Sequence, residues 1–205
     1  MCSGPSGVGK NTIINALRAL EVFNHNFFSV SWTTRSPRPG EVHCVDYIFV
    51  TRTEFEAGIA NGEFLEYAKV GDSYYGTPLA PIQSALEDNM TVFIDLDVQG
   101  AKIAKRALDA WEPRPLPVWK QKVPVFDVFI APPSIDDLEA RLRARGTETE
   151  SQILARLDRA KDELLQANHF TCSVVNDNFD ECVDIIVRMW KRHHDRIDDE
   201  SCAAV

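Results

Sequence analysis

The chain has 205 residues, 44% hydrophobic and 26% charged, enough for one domain with a sizeable core. Its formal net charge of -9, from 31 acidic and 22 basic residues, argues against a nucleic-acid surface, which wants a basic face. It leaves room for small phosphorylated ligands served by a local cluster of cations, while the five cysteines (2, 44, 172, 182 and 202) read as reduced thiols and no stretch approaches the ~20 apolar residues of a membrane span.

The first element is a loop. Gly4-Pro5-Ser6-Gly7-Val8-Gly9-Lys10 fits G-x-x-x-x-G-K. Glycines at this spacing let successive backbone N–H groups turn inward around a phosphate, and the lysine reaches the transferred group. Ile13, Ile14, Leu17 and Leu20 then recur at helical spacing, so a helix points its positive end at the same spot. Gly4, Ser6, Gly7, Val8, Gly9, Lys10, Asn11 and Thr12 are the candidate nucleotide-binding residues. Asn11 stands where a Ser or Thr hydroxyl usually holds Mg²⁺, which leaves that contact to Thr12 or the ion to waters and nucleotide oxygens. Only Met1, Cys2 and Ser3 precede Gly4, short for the strand this fold needs, and the expectation is a chain that starts late.

Further on, β-rich runs at 27–32 and 47–50 are separated by the turn signal Pro39-Gly40, and 64–70 and 73–75 read as short strands. The region 31–75 is rich enough in short strands to form a small separate lobe. A helix over 78–88 is followed by a compact strand at 91–95 that ends in carboxylates, then by a helix over 98–110. The proline-rich stretch 112–124 reads as an extended surface insertion. A strand at 125–131 precedes two helices that bracket Arg145-Gly146-Thr147, and a strand at 172–176 and a helix over 179–192 close the pattern. Strands alternating with helices of this length imply an α/β fold with a parallel sheet. His193 and His194, adjacent on a helix, are expected in solvent, and the terminal Cys202-Ala203-Ala204-Val205 is read as a chance match to a prenylation signal behind an acidic stretch.

Three further clusters carry chemistry. In the string from Ser31 to Glu41, Arg35 and Arg38 sit three apart among hydroxyls, and their planar forks suit phosphate oxygens. Asp95 ends the strand at 91–95, where such folds place a carboxylate near a metal and its waters, and Asp97, two residues on, shares its face. Arg141 and Arg145 share a helix face ahead of a glycine break, with Arg156 beyond it, whereas Arg143 reads as a solvated, salt-bridged surface residue.

Taken in order, S-x-T-T-R-x-P-R-x-G-E, Asp46-Tyr47, Phe64-Leu65-Glu66, Tyr74-Tyr75-Gly76-Thr77 and R-G-T-E-T-E resemble the guanylate kinase family over nearly the whole chain. The resemblance implies a P-loop NTPase-type parallel sheet flanked by helices (core 1–30, 91–133 and 168–205), an inserted mixed α+β GMP-binding lobe (31–90) and a helical lid (134–167). It implies transfer of the γ-phosphate of ATP to GMP, and to dGMP, in purine nucleotide metabolism. Arg35, Arg38, Tyr47 and Tyr75 would hold the GMP phosphate, and Ser31, Glu66, Thr77 and Asp97 would read the guanine. Lys10, Arg35, Arg141, Arg145 and Arg156 would be catalytic, Asn176 would lie near the adenine, and Thr12 and Asp95, the latter through water, would hold Mg²⁺. The carboxylates make chemical sense, since guanine's N1–H and exocyclic amine are donors, while adenine offers no matching N1–H donor. A monomer in the cytoplasm is expected, with small nucleotides as partners and neither nucleic acid nor membrane. The rival is a catalytically weak or inactive guanylate-kinase-like binding module; the intact loop lysine and lid arginines favour the enzyme. A kinase for AMP or UMP leaves Glu66, Asp97 and the 31–41 string unexplained.

Overall fold

Two small sheets and seven helices organise the residues that the computed structural model describes, 1–109, 124–146 and 148–203. The strands are Cys2–Ser3 (β1), Phe27–Phe28 (β2), Trp32–Thr33 (β3), Ile48–Phe49 (β4), Phe64–Val70 (β5), Ser73–Pro78 (β6), Val92–Phe93 (β7), Val128–Ala131 (β8) and Cys172–Val175 (β9). The helices are Lys10–Ala19 (α1), Arg52–Ala60 (α2), Leu79–Glu87 (α3), Val98–Asp109 (α4), Ile135–Arg145 (α5), Glu150–Leu164 (α6) and Phe179–Ala203 (α7). Most of the proline-rich segment, Thr147, Ala204 and Val205 lie outside the described residues.

The first sheet is parallel throughout. β1 pairs with β8 and β8 with β9, while β2 pairs with β7. A parallel bridge between Cys2 and Asp95 joins the two pieces, with Cys2 N donating to Ile94 O at 2.8 Å and Leu96 N to Cys2 O at 3.0 Å. The order β2-β7-β1-β8-β9 results. β1 is two residues long in this chain, and neighbours on both sides hold their backbone. β1 delivers the chain straight into the loop, and Gly4 allows no alternative there. Its φ is +141°, and a Cβ would lie 2.2 Å from Ile130 O, a backbone atom that cannot move aside.

One face of this sheet is sealed by α1 and α7. Ile13 and Leu17 of α1, Cys182, Val183 and Ile186 of α7, and Val128, Ile130 and Val174 of the sheet form one buried cluster with Phe23. Ile82, Ala101 and Ala104 of α3 and α4 close a second cluster with Ile94 and Leu96. The fold is therefore α/β, a parallel sheet flanked by helices.

The expected single run at 27–32 divides between sheets. Ser29 N still donates to Phe93 O in the first sheet, but Trp32 and Thr33 pair with β4 and β6 in the second, whose order is β4-β3-β6-β5. α2 is an element the sequence reading passed over. Its start is marked by a capping box: Thr51 Oγ1 accepts from Glu54 N, and Glu54 accepts from Thr51 N. Only Phe55 and Gly58 of α2 are buried, so its apolar stripe was too thin to show periodicity. His193 also departs from expectation. It packs its ring 5.3 Å from Phe126 rather than standing in solvent. Cys2, Cys44, Cys172 and Cys182 are free thiols. Among the described residues no helix is long and apolar enough to cross a membrane, and no group of His, Cys, Asp or Glu is arranged to hold a metal alone.

Candidate active site

A cleft of about 1020 Å³ runs between the end of the parallel sheet, the second sheet and the α5–α6 pair. Gly4, Ser6, Gly7, Gly9, Lys10, Asn11 and Thr12 line one end. Gly7 and Gly9 hold positive φ, 94° and 99°, which folds the loop over the start of α1. That helix has no side-chain cap and no acid in its first turn. Its leading N–H groups and positive end are therefore available to an anion. Lys10 Nζ donates to Gly4 O at 2.6 Å and to Pro5 O at 3.3 Å, tucked against the loop it belongs to. Val8 is fully buried beneath the loop and so serves it from below.

Asn176 sits there too. Its Nδ2 donates to Val8 O at 2.7 Å, and Arg141 Nη2 donates to its carbonyl at 2.8 Å. With 7% of its surface exposed, Asn176 props the loop from behind. Arg141 reaches the loop as well, through Nη1 to Val8 O at 3.4 Å. Arg156 donates to Ser6 Oγ. α5 packs directly on the loop: a Cβ on Gly7 would meet Leu142 Cδ2 at 2.7 Å.

At the other end Ser31, Arg35, Arg38, Tyr47, Glu66, Tyr75 and Asp97 line the same cleft. Arg35 makes a fork to Glu41, 2.9 Å through each nitrogen, and its guanidinium lies 5.4 Å from the Tyr47 ring. Tyr47 and Tyr75 meet edge to face at 6.0 Å. Burial pushes the Tyr47 hydroxyl above its usual range. Glu41 also accepts from Arg38 N at 2.7 Å; burial works to raise its carboxyl, but the Arg35 and Arg38 contacts outweigh this and hold it below its usual range. The Arg38 guanidinium is held below its usual range by burial and then by the nearby charges of Arg145 and Arg35. Arg145 lines the same cleft. Arg143 points away, paired with Glu139 at 2.8 Å and Glu150 at 2.5 Å on the exposed face.

Glu66 is 7% exposed and accepts from Thr77 Oγ1 at 2.6 Å. Thr77 is wholly buried on the neighbouring strand, so it orients Glu66 rather than lining the cleft itself. Burial pushes the Glu66 carboxyl up to about 7; the Thr77 hydroxyl opposes this and the Asp97 charge adds to it. Asp97 Oδ1 accepts from Gly100 N at 2.7 Å at the start of α4, and Gly100 lacks the Cβ that would come 2.9 Å from Glu66 Oε2. Between the two ends Asp95 lines the cleft. Burial raises its carboxyl, Lys10 opposes that rise, and its buried Oδ1 has no hydrogen-bond partner among the described residues.

Sequence reasoning gave no role to Glu41, Glu148, Arg159 or Glu163. Glu41 and Glu148 both stand inside quoted motifs, but their partners are set by tertiary contacts. Arg159 and Glu163 line the cleft from α6, where spacing alone marks them as surface charges. Burial raises the Glu163 carboxyl.

The chain matches the family model described as guanylate kinase over residues 1–193. It is 42% identical over 202 residues to the guanylate kinase of Streptococcus agalactiae serotype III (strain NEM316), covering 96% of this chain and 87% of that one. The guanylate kinase of Aster yellows witches'-broom phytoplasma (strain AYWB) is 43% identical over 195 residues, 94% and 84% of the two chains. Among solved structures, the guanylate kinase from Anaplasma phagocytophilum is similar with a TM-score of 0.68 and 28% identity, over 93% of this chain and 82% of that chain.

Proposed function

The chain belongs to the guanylate kinase family, and from that premise we propose how its cleft works. The enzyme transfers the γ-phosphate of ATP to GMP, giving ADP and GDP. We assign the ATP phosphates to Gly4, Ser6, Gly7, Gly9, Lys10, Asn11 and Thr12, with Val8 and Asn176 supporting the loop. Arg35, Arg38, Tyr47 and Tyr75 take the GMP phosphate. Ser31, Glu66 and Asp97 read the guanine, with Thr77 orienting Glu66. The observation that carries this reading is that one cleft holds a phosphate loop at one end and an arginine pair beside buried carboxylates at the other.

The acceptor phosphate is already anionic near neutral pH, so no general base is required. Catalysis is then alignment plus neutralisation of charge on the transferring group. In this proposal residues 134–167 act as a lid, in which Arg141, Arg145 and Arg156 cover that group and closure keeps water from intercepting it. Mg²⁺ is part of the proposal, and Asp95 fits it: a buried, unpartnered carboxylate oxygen in the cleft is the donor a hard cation takes. Thr12 and Asp95 would hold the ion, which when bound neutralises and orients the β- and γ-phosphates. The proposal extends to dGMP as a second acceptor, which offers the same base and phosphate to these residues. It extends also to a monomer and to the cytoplasm, the latter supported by the free thiols of Cys2, Cys44, Cys172 and Cys182, acting without nucleic acid, as its charge of -9 favours, or membrane.

The test is ADP release from ATP with GMP, dGMP, AMP and UMP in parallel. Release with GMP and dGMP alone is expected. Binding of GMP without ADP release would make the chain a binding module.

A pH dependence follows from Glu66. Guanine donors need its carboxylate form, and burial places the group at about 7. GMP binds the deprotonated form, so its KM is expected to rise as pH falls below 7, by up to about tenfold per unit. The GMP phosphate titrates nearby, at roughly 6, so the comparison is with Glu66→Gln, whose profile should lack the step. Identical profiles would remove Glu66 from the guanine site.

A further inference from the structure

Glu148 lies between α5 and α6 with its side chain only 3% exposed, flanked by arginines from two different parts of the fold. Its Oε1 is 3.3 Å from Arg38 Nη2, on the loop after β3, and 3.6 Å from Arg156 Nη2, on α6. Its Oε2 is buried with no partner among the described residues. A carboxylate withdrawn from water this far is costly unless cations and donors meet it. The two that do meet it stand farther off than the ~2.7–2.9 Å of a full charge-assisted bond. The contact is formed but slack, and one oxygen is still to be satisfied.

We propose that Glu148 is a positioning residue for phosphoryl transfer: it ties Arg38, on the acceptor side, to Arg156, on the donor side, so that both guanidiniums come to the transferring group as one unit. This rests on the roles assigned above to those two arginines. Arg38, Arg145 and Arg156 bring three positive charges to one region, and a shared carboxylate offsets their repulsion before any phosphate arrives. Closure of the α5–α6 pair shortens the slack contacts and brings a donor to Oε2. Each arginine also keeps an anchor of its own. Arg38 is held by Glu41, 3.7 Å away, and Arg156 by Ser6 Oγ. Loss of Glu148 therefore severs the link and leaves each single contact in place, and the effect falls on the step that needs both arginines together.

Initial rates of ADP release test this with the wild type, Glu148→Gln, Arg156→Gln and the double variant. Glu148→Gln is expected to lower kcat about tenfold or more while the KM values for GMP and ATP stay within about threefold. In the Arg156→Gln background the same change should cost less than about twofold, since the tie is already cut. A purely structural carboxylate would give the full loss in both backgrounds. Should Glu148→Gln fail to melt cooperatively, Glu148→Asp is read the same way: a loss of kcat at constant KM supports the tie. Wild-type kcat in the variant, or equal losses in the two backgrounds, overturns the proposal alone. A wild type that releases no ADP overturns it together with the functional reading.

Discussion

Lys10→Ala is expected to lower kcat about 10²- to 10³-fold while GMP still binds with near wild-type affinity. In the structure the ammonium donates to Gly4 O and Pro5 O of its own loop. Those carbonyls are neutral acceptors, so a phosphate oxygen that arrives among the loop amides takes the cation over at small cost. In the transition state charge spreads over the transferring oxygens, and a fixed cation in a water-poor site is worth far more there than in the ground state. Alanine removes that cation and leaves the residues assigned to GMP, which line the other end of the cleft, untouched. Rapid-quench or coupled rates give kcat, and calorimetry with GMP gives the affinity. Normal turnover in the variant would contradict the mechanism, and loss of GMP binding would contradict the division of the cleft.

Glu66→Gln should lower kcat/KM for GMP about 100-fold and narrow the preference over AMP. Glu66 is buried, and Thr77 Oγ1 already donates to one of its oxygens. In the proposed site the other oxygen is the one that accepts from guanine. A glutamine keeps the Thr77 bond with its carbonyl and turns its NH₂ toward the base, where it meets donors. Two donors facing each other in a dry site lose the bond and leave both groups unsatisfied, a cost of about 3 kcal/mol. The shape is unchanged, so the melting temperature should hold or rise, because a carboxyl raised by burial is replaced by a neutral group. Unaltered kcat/KM for GMP would place guanine recognition elsewhere.

The parts of this site that could be read from the sequence are those encoded in short strings. The loop 4–10 announces itself because every glycine has a backbone task within seven residues, and the structure gives those at 4, 7 and 9 positive φ. Arg35 and Arg38 were legible as a pair for the same reason, and Arg143 as an outlier on the exposed face of its helix. What escaped was set by distance along the chain. Glu148 meets Arg38 across 110 residues, and Asn176 meets Val8 across 168, separations at which no spacing rule operates. α2 escaped because it buries little, and the division of the run at 27–32 because both halves have the same apolar composition while pairing with different sheets. β1 looked too short for the strand the fold needs for a related reason. Its two residues are held by neighbours whose hydrogen bonds a linear reading cannot count.

The central claim is that one cleft seats the two nucleotides end to end, phosphates meeting between Lys10 and the Arg35/Arg38 pair. The direct measurement is the affinity of an adenosine and a guanosine joined 5′ to 5′ through four or five phosphates. Such a molecule should bind at least about 100-fold tighter than ATP or GMP alone, because the second half binds at high effective concentration, and either nucleotide should displace it. An affinity no better than that of ATP, with GMP unable to compete, would mean that the two ends of the cleft do not act on one pair of substrates.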